Sequence, residues 1–203
     1  MLVGTAVLAV LTACGGGSAT GSADGGPKEP VVFGPDMIRT ALMSEAGAPE
    51  GWTGSGPRID LDNGLTDCEQ DTHSACGGFV ARGLSHLRPD KAPEYESRTP
   101  GVRFLMLSFR STDDAKAAMK SLMAEERRLA AANGVGTKPL RLSVEADETD
   151  AFTGRRTSIT MRTGALLVLV QSQDLREEQP YGDLAGLQMD RIRKTAEGGN
   201  PDA

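Results

Sequence analysis

Aromatic side chains are scarce in this chain, which holds one Trp, two Tyr and five Phe. That leaves Trp52 as the one large anchor for a core or a ligand. Histidine is scarcer still. His73 and His86 are the whole supply, and both lie in the cysteine-bearing region, so nucleophilic chemistry has little to draw on. A basic stripe is missing as well. The 22 Lys and Arg are outnumbered by 28 Asp and Glu and interspersed with them, giving a net charge of −6. That balance disfavours nucleic-acid binding and gives polybasic attachment to a membrane surface no support. No internal repeat marks a solenoid.

Recognisable catalytic and metal motifs are also lacking. The stretch TGSG at Thr53 to Gly56 has Thr53 where the nucleophile elbow needs its first glycine. The acidic run DLDNGLTDCEQD holds Asp60, Asp62, Asp67, Glu69 and Asp71. It fails as an EF-hand because Gly64 stands at the fifth position from Asp60, where a ligand belongs. It reads instead as a solvated acidic loop. Nothing selects Glu145 with Asp147 from ordinary surface carboxylates. No catalytic residue, cofactor or metal is assigned, and the chain is expected not to be an enzyme.

What is present begins at the start. Residues 1–13 form the longest uncharged apolar run. As a helix it would reach roughly 20 Å, short of the roughly 30 Å hydrocarbon layer, so it fits a signal peptide better than a span. Leu11-Thr12-Ala13-Cys14 resembles the bacterial lipobox, in which the cysteine is acylated and becomes the mature N-terminus. The resemblance implies that Cys14 carries lipid and that the Ala13–Cys14 bond is cleaved. The tract that follows, residues 14–30, is rich in Gly and Ser and lacks large apolar residues, as a flexible tether requires. Residues 31–196 are one domain's worth of chain, and 197–203 read as a frayed, disordered tail.

With Cys14 set aside, Cys68 and Cys76 remain as an even pair, read as a disulfide in an oxidising compartment. A metal pair around His73 is the rival, but seven residues separate the cysteines and a fourth ligand is not evident.

Asp36 caps a first helix over Met37 to Ala46, and a loop follows through Trp52 to the acidic run. Residues 74–87 read as a second, weaker helix. Val102 to Phe109 is a strand, and the long apolar stripe through Met119 and Met123 defines a helix over Asp113–Asn133. Three strands follow at 140–146, 155–162 and 165–171, the last two joined by a Thr163-Gly164 hairpin turn. A C-terminal helix spans 183–195. The expected fold is α+β: a mainly antiparallel sheet of about four strands with helices packed on one face.

Four stretches, ALMSEAGAPEGW, SFRSTDDAKAAMKSLM, SITMRTGALLVLVQ and LAGLQMDRIRK, resemble the extracellular sensor-domain family of actinobacterial serine/threonine kinases and their stand-alone lipoprotein relatives. The resemblance implies an α+β domain with a concave face, structural disulfides and ligand binding without catalysis. The chain departs in having one candidate disulfide where the family often has two. The expected function is a non-catalytic, sensor-like lipoprotein on the extracytoplasmic face of the membrane, held by lipid on Cys14. It would bind a small ligand or an envelope protein, with Trp52, Met119 and Met123 as candidate ligand-binding residues. A carrier of lipidic molecules is the alternative, and a hydrolase a more distant one.

Overall fold

The structure, a computed structural model, describes residues 30–91, 100–132, 134, 136–173, 175 and 180–203. Cys14, the signal segment and nearly all of the tether lie outside the described residues. Four helices are α1 (Pro35–Ala41), α2 (Gly64–Thr72), α3 (Thr112–Ala132) and α4 (Tyr181–Ala196). Seven strands are β1 (Trp52–Ile59), β2 (Phe79–Pro89), β3 (Gly101–Phe109), β4 (Lys138–Pro139), β5 (Glu148–Thr153), β6 (Thr157–Thr163) and β7 (Leu166–Gln173). They form one antiparallel sheet in the order β1-β2-β3-β7-β6-β5-β4. The α+β class holds, but the expected sheet of about four strands with helices on one face does not.

The reason lies in the two central strands. VRFLMLSF and LLVLVQ are apolar at consecutive positions, so each sends large side chains to both faces. Val102, Phe104 and Met106 of β3, with Leu166, Val168 and Val170 of β7, point to a core closed by α1 and α4. Leu105, Leu107 and Phe109, with Leu167 and Leu169, point the other way, under α2 and α3. Two helix layers therefore sandwich the sheet.

The segments expected as loop and helix near the cysteines are strands and helix in reverse. GWTGSGPRI, expected as loop, forms edge strand β1, with a register irregularity between Ser55 and Arg58 that accommodates Pro57. FVARGLSHL was read as helix but is β2. Its Gly83 lies where α1 approaches the sheet closely. A Cβ there would stand 2.6 Å from Ile38 Cγ2 and 2.9 Å from Leu42 Cδ1. The acidic run, expected as a solvated loop, is largely helix α2. Its Cys68 is bonded to Cys76, with both cysteines buried.

Helix α1 stops at Ala41, five residues short of the expected Ala46. Its end is held by α4. Gln188 Nε2 donates to Ala41 O at 2.8 Å while its Oε1 accepts from Met43 N at 2.9 Å. Arg191 donates to the carbonyls of Thr40, Ala41 and Leu42. Carbonyls left over at a helix end are thus satisfied by side chains from another helix. Residues 197–203, read as a frayed tail, fold back so that Asp202 bonds Arg191 and Ser44. Residues 140–146 alternate as expected but join no ladder, whereas β5, which the sequence reading missed, does.

Candidate functional site

On the face covered by α2 and α3, strand register aligns a polar row across the sheet. Ser55 of β1 stands opposite His86 of β2, His86 opposite Arg103 of β3, Arg103 opposite Gln171 of β7, and Gln171 opposite Ser158 of β6. The two ends of the row differ. Gln171 and Ser158 are buried, and Gln171 Nε2 donates at 2.9 Å to Glu126 of α3, itself 8% exposed. Toward β1 the row opens into a depression of about 470 Å³, its wall more apolar than polar, where Leu87, Pro100 and two glycines line it beside Thr53, Ser55, His86, Arg88 and Gln173. Its volume is that of a small-molecule site.

Arginines dominate the electrostatics beside this depression. Burial, then the charges of Arg103 and Arg58, push the His86 imidazole below its ordinary value of 6.5. It is therefore neutral at pH 7, able to donate at one nitrogen and accept at the other. Thr53 and Ser55 add hydroxyls, Gln173 an amide and Arg88 a guanidinium. Together they suit recognition of acceptor or anionic groups on a ligand. Among the described residues His86 is bonded neither to Ser55 nor to a carboxylate.

Three of the five acidic residues in the DLDNGLTDCEQD run, Asp60, Asp67 and Asp71, face arginines. Arg82, its side chain 6% exposed, donates from Nε to Asp71 Oδ2 at 2.8 Å, bonds Asp60 through Nη1, and faces Asp67 at 3.6 Å. Arg103 reaches Asp71 at 3.1 Å and Arg58 reaches Asp60 at 3.4 Å. Among the described residues no group of His, Cys, Asp and Glu is arranged to hold a metal ion. The acidic run is therefore the counter-charge of Arg82.

The three candidate ligand residues are not brought together. Met119, 1% exposed, is core beneath α3. Met123 borders a separate depression with Lys116, Lys120, Arg127 and Glu148. Trp52 is half-buried against the core on the opposite, α1–α4 face. Of the residues that do converge, Ser55, His86 and Arg88 lie on β1 and β2, expected as loop and helix, and Gln173 lies on β7, past the expected strand end at residue 171. Once those strands are paired, their alternation puts every one of these side chains on one face.

One antiparallel sheet with helices on both faces and, among the described residues, one disulfide define a small α+β domain. No family model matches the chain, and no curated protein matches it in sequence. Among solved structures it is similar to the extracellular domain of PknH from Mycobacterium tuberculosis, with 12% identity and a TM-score of 0.52. The match covers 81% of this chain and 98% of that one. At this identity the likeness is one of fold. Among the described residues no helix is long and apolar enough to cross a membrane.

Proposed function

We propose that this chain is an extracytoplasmic, membrane-anchored binding protein that takes a small amphipathic ligand in the depression between β1, β2 and β3. The observation that carries this reading is the placing of that depression relative to the chain's entry into the fold. Pro30 lies against Gly164 at the β6–β7 turn, where a Cβ would stand 3.1 Å from it. Phe33 N donates to Ser108 Oγ at 3.1 Å, near the C-terminal end of β3. Gly101, at the other end of β3, borders the depression. From Gly101 to Ser108 a strand rises roughly 23 Å. An anchor on Cys14 would hold the chain at one pole and leave the depression open at the other, away from the lipid.

The likeness to an extracellular domain, the disulfide and the lipobox-like LTAC all favour an oxidising compartment outside the membrane. Binding is the whole of the proposed mechanism. Hydroxyl, imidazole, amide and guanidinium groups orient the ligand, and no bond is made or broken.

Native mass spectrometry of the protein extracted from its own cells tests the pocket. A bound small molecule is expected on the wild type and not on Ser55→Trp, which fills the depression from an exposed edge position. A wild type without any adduct, or an adduct kept by Ser55→Trp, refutes the assignment. For the anchor, labelled palmitate should enter the wild type and not Cys14→Ser. Equal labelling of both would remove the lipid from the account.

A further inference from the structure

We propose that residues 140–146 are a strand edge that pairs with the same segment of a second copy of this chain. The stretch Leu140-Arg-Leu-Ser-Val-Glu-Ala146 alternates without a break. Leu140, Leu142, Val144 and Ala146 are half-buried against the core, while Arg141, Ser143 and Glu145 are exposed. That is the pattern of a half-buried β-strand, and at about 3.3 Å per residue it extends roughly 20 Å.

The segment is fixed at both ends. Leu140 N donates to Ala151 O at 2.9 Å and Asp147 N to Arg162 O at 2.9 Å. Leu142 packs over Gly182 at the start of α4, where a Cβ would lie 3.2 Å from its Cδ2. Glu145 accepts from Arg193 of α4 at 2.6 Å. Between these ends, the N–H and C=O groups of Arg141 to Ala146 make no hydrogen bond among the described residues. A pre-extended ribbon with free backbone donors and acceptors is a template for strand addition, and proteins that avoid such pairing blunt the edge.

The outward residues select the partner. In an antiparallel pair about a two-fold axis through Ser143, Arg141 faces the partner's Glu145, and Glu145 faces the partner's Arg141. The inward positions match as well, with Leu142 opposite Val144 and Leu140 opposite Ala146. The segment is its own charge complement, as a two-fold interface requires. A partner of another sequence would need the same alternation with its charges in reverse order, which this segment already supplies to itself. One strand pair covers less than the roughly 1,200 Å² of a stable interface, so the dimer is concentration-dependent.

Cross-linking of the full chain, purified in mild detergent, tests this directly. Ser143→Cys places a thiol on the axis, and oxidation with diamide should give a covalent dimer on a non-reducing gel. Adding Arg141→Glu sets like charges opposite each other at both ends and should lower the dimer yield by about fivefold or more. Adding Glu145→Arg to that chain, with Arg193→Gln to remove the like charge it would meet on α4, restores the complement and should restore the yield. Far-ultraviolet circular dichroism confirms that each variant is folded. Absence of a dimer in folded Ser143→Cys protein overturns the proposal. So does a dimer whose yield ignores Arg141→Glu, which would place the contact on another face, or one that Glu145→Arg with Arg193→Gln fails to rescue.

Discussion

Replacing Arg82 by methionine should remove about 3 kcal/mol of stability. The side chain is 6% exposed and stands among Asp60, Asp67 and Asp71, which come from the end of β1 and from α2. Removing one partner of a buried ion pair costs about 3–5 kcal/mol, because the other charge is left without compensation. The lower end applies here, since Asp71 keeps Arg103 at 3.1 Å and Asp60 keeps Arg58 at 3.4 Å. In urea, with m of about 1–3 kcal/mol/M, the midpoint should fall by roughly 1–3 M at unchanged m. Methionine conserves most of the volume, so the loss reports charge rather than a cavity. Adding Asp60→Asn and Asp71→Asn should recover much of it. A loss below about 1 kcal/mol at unchanged m would show that water already solvates these carboxylates, and the account of the acidic run would fail.

Four other perturbations follow from the packing and the titrating groups. Gly83→Ala sets a methyl group against Ile38 and Leu42, and should cost about 1–3 kcal/mol by thermal unfolding as α1 is lifted from the sheet. Gln188→Leu strips the amide partners from Met43 N and from Ala41 O, so a loss of about 2 kcal/mol is expected in denaturant titration. Reducing Cys68–Cys76 should release two thiols and lower stability by no more than about 3 kcal/mol, because the closed loop is short. Titration supplies the last. The His86 value lies below 6.5 in the folded chain, so the unfolded chain binds the proton first. Stability is whole above pH 6.5 and declines as pH falls through the window beneath it. His86→Asn should flatten that limb of a stability–pH curve. Asp202, held below 3.8 by its bond to Arg191, contributes stability above that pH and loses it in stronger acid.

Legibility in the sequence followed the strength of local periodicity. β3, α3, the β6–β7 hairpin and α4 carry long apolar runs or stripes, and each was placed within a few residues. β1 and β2 were not, because their inward positions include Gly54 and Gly83, where the backbone at Glu45 and the side chains of Ile38 and Leu42 come close, and the small Ser85. A Cβ on Gly54 would stand 2.9 Å from Glu45 Cα, so the feature that fits β1 to the fold also hides it as a strand. Helix α2 was concealed by its charge, whose counter-ion Arg82 lies on a strand that itself read as helix. The candidate site depended on those same two strands, so it was invisible until they were paired. Residues 140–146 failed in the opposite direction. Their alternation is real, but alternation reports a half-buried extended segment and says nothing of whether a neighbour completes the ladder.

The proposed function places binding in the depression at the pole away from the chain's entry. Amide NMR of the ¹⁵N-labelled protein, titrated with a small-molecule extract of its own cell envelope, tests it most directly. Shifts should gather at Thr53 to Ser55, His86 to Arg88, Gly101 to Arg103 and Gln173, and vanish in Ser55→Trp. Shifts clustered instead around Pro30, Gly164 and Ile192 at the opposite pole, or no shifts at saturating extract, would contradict it.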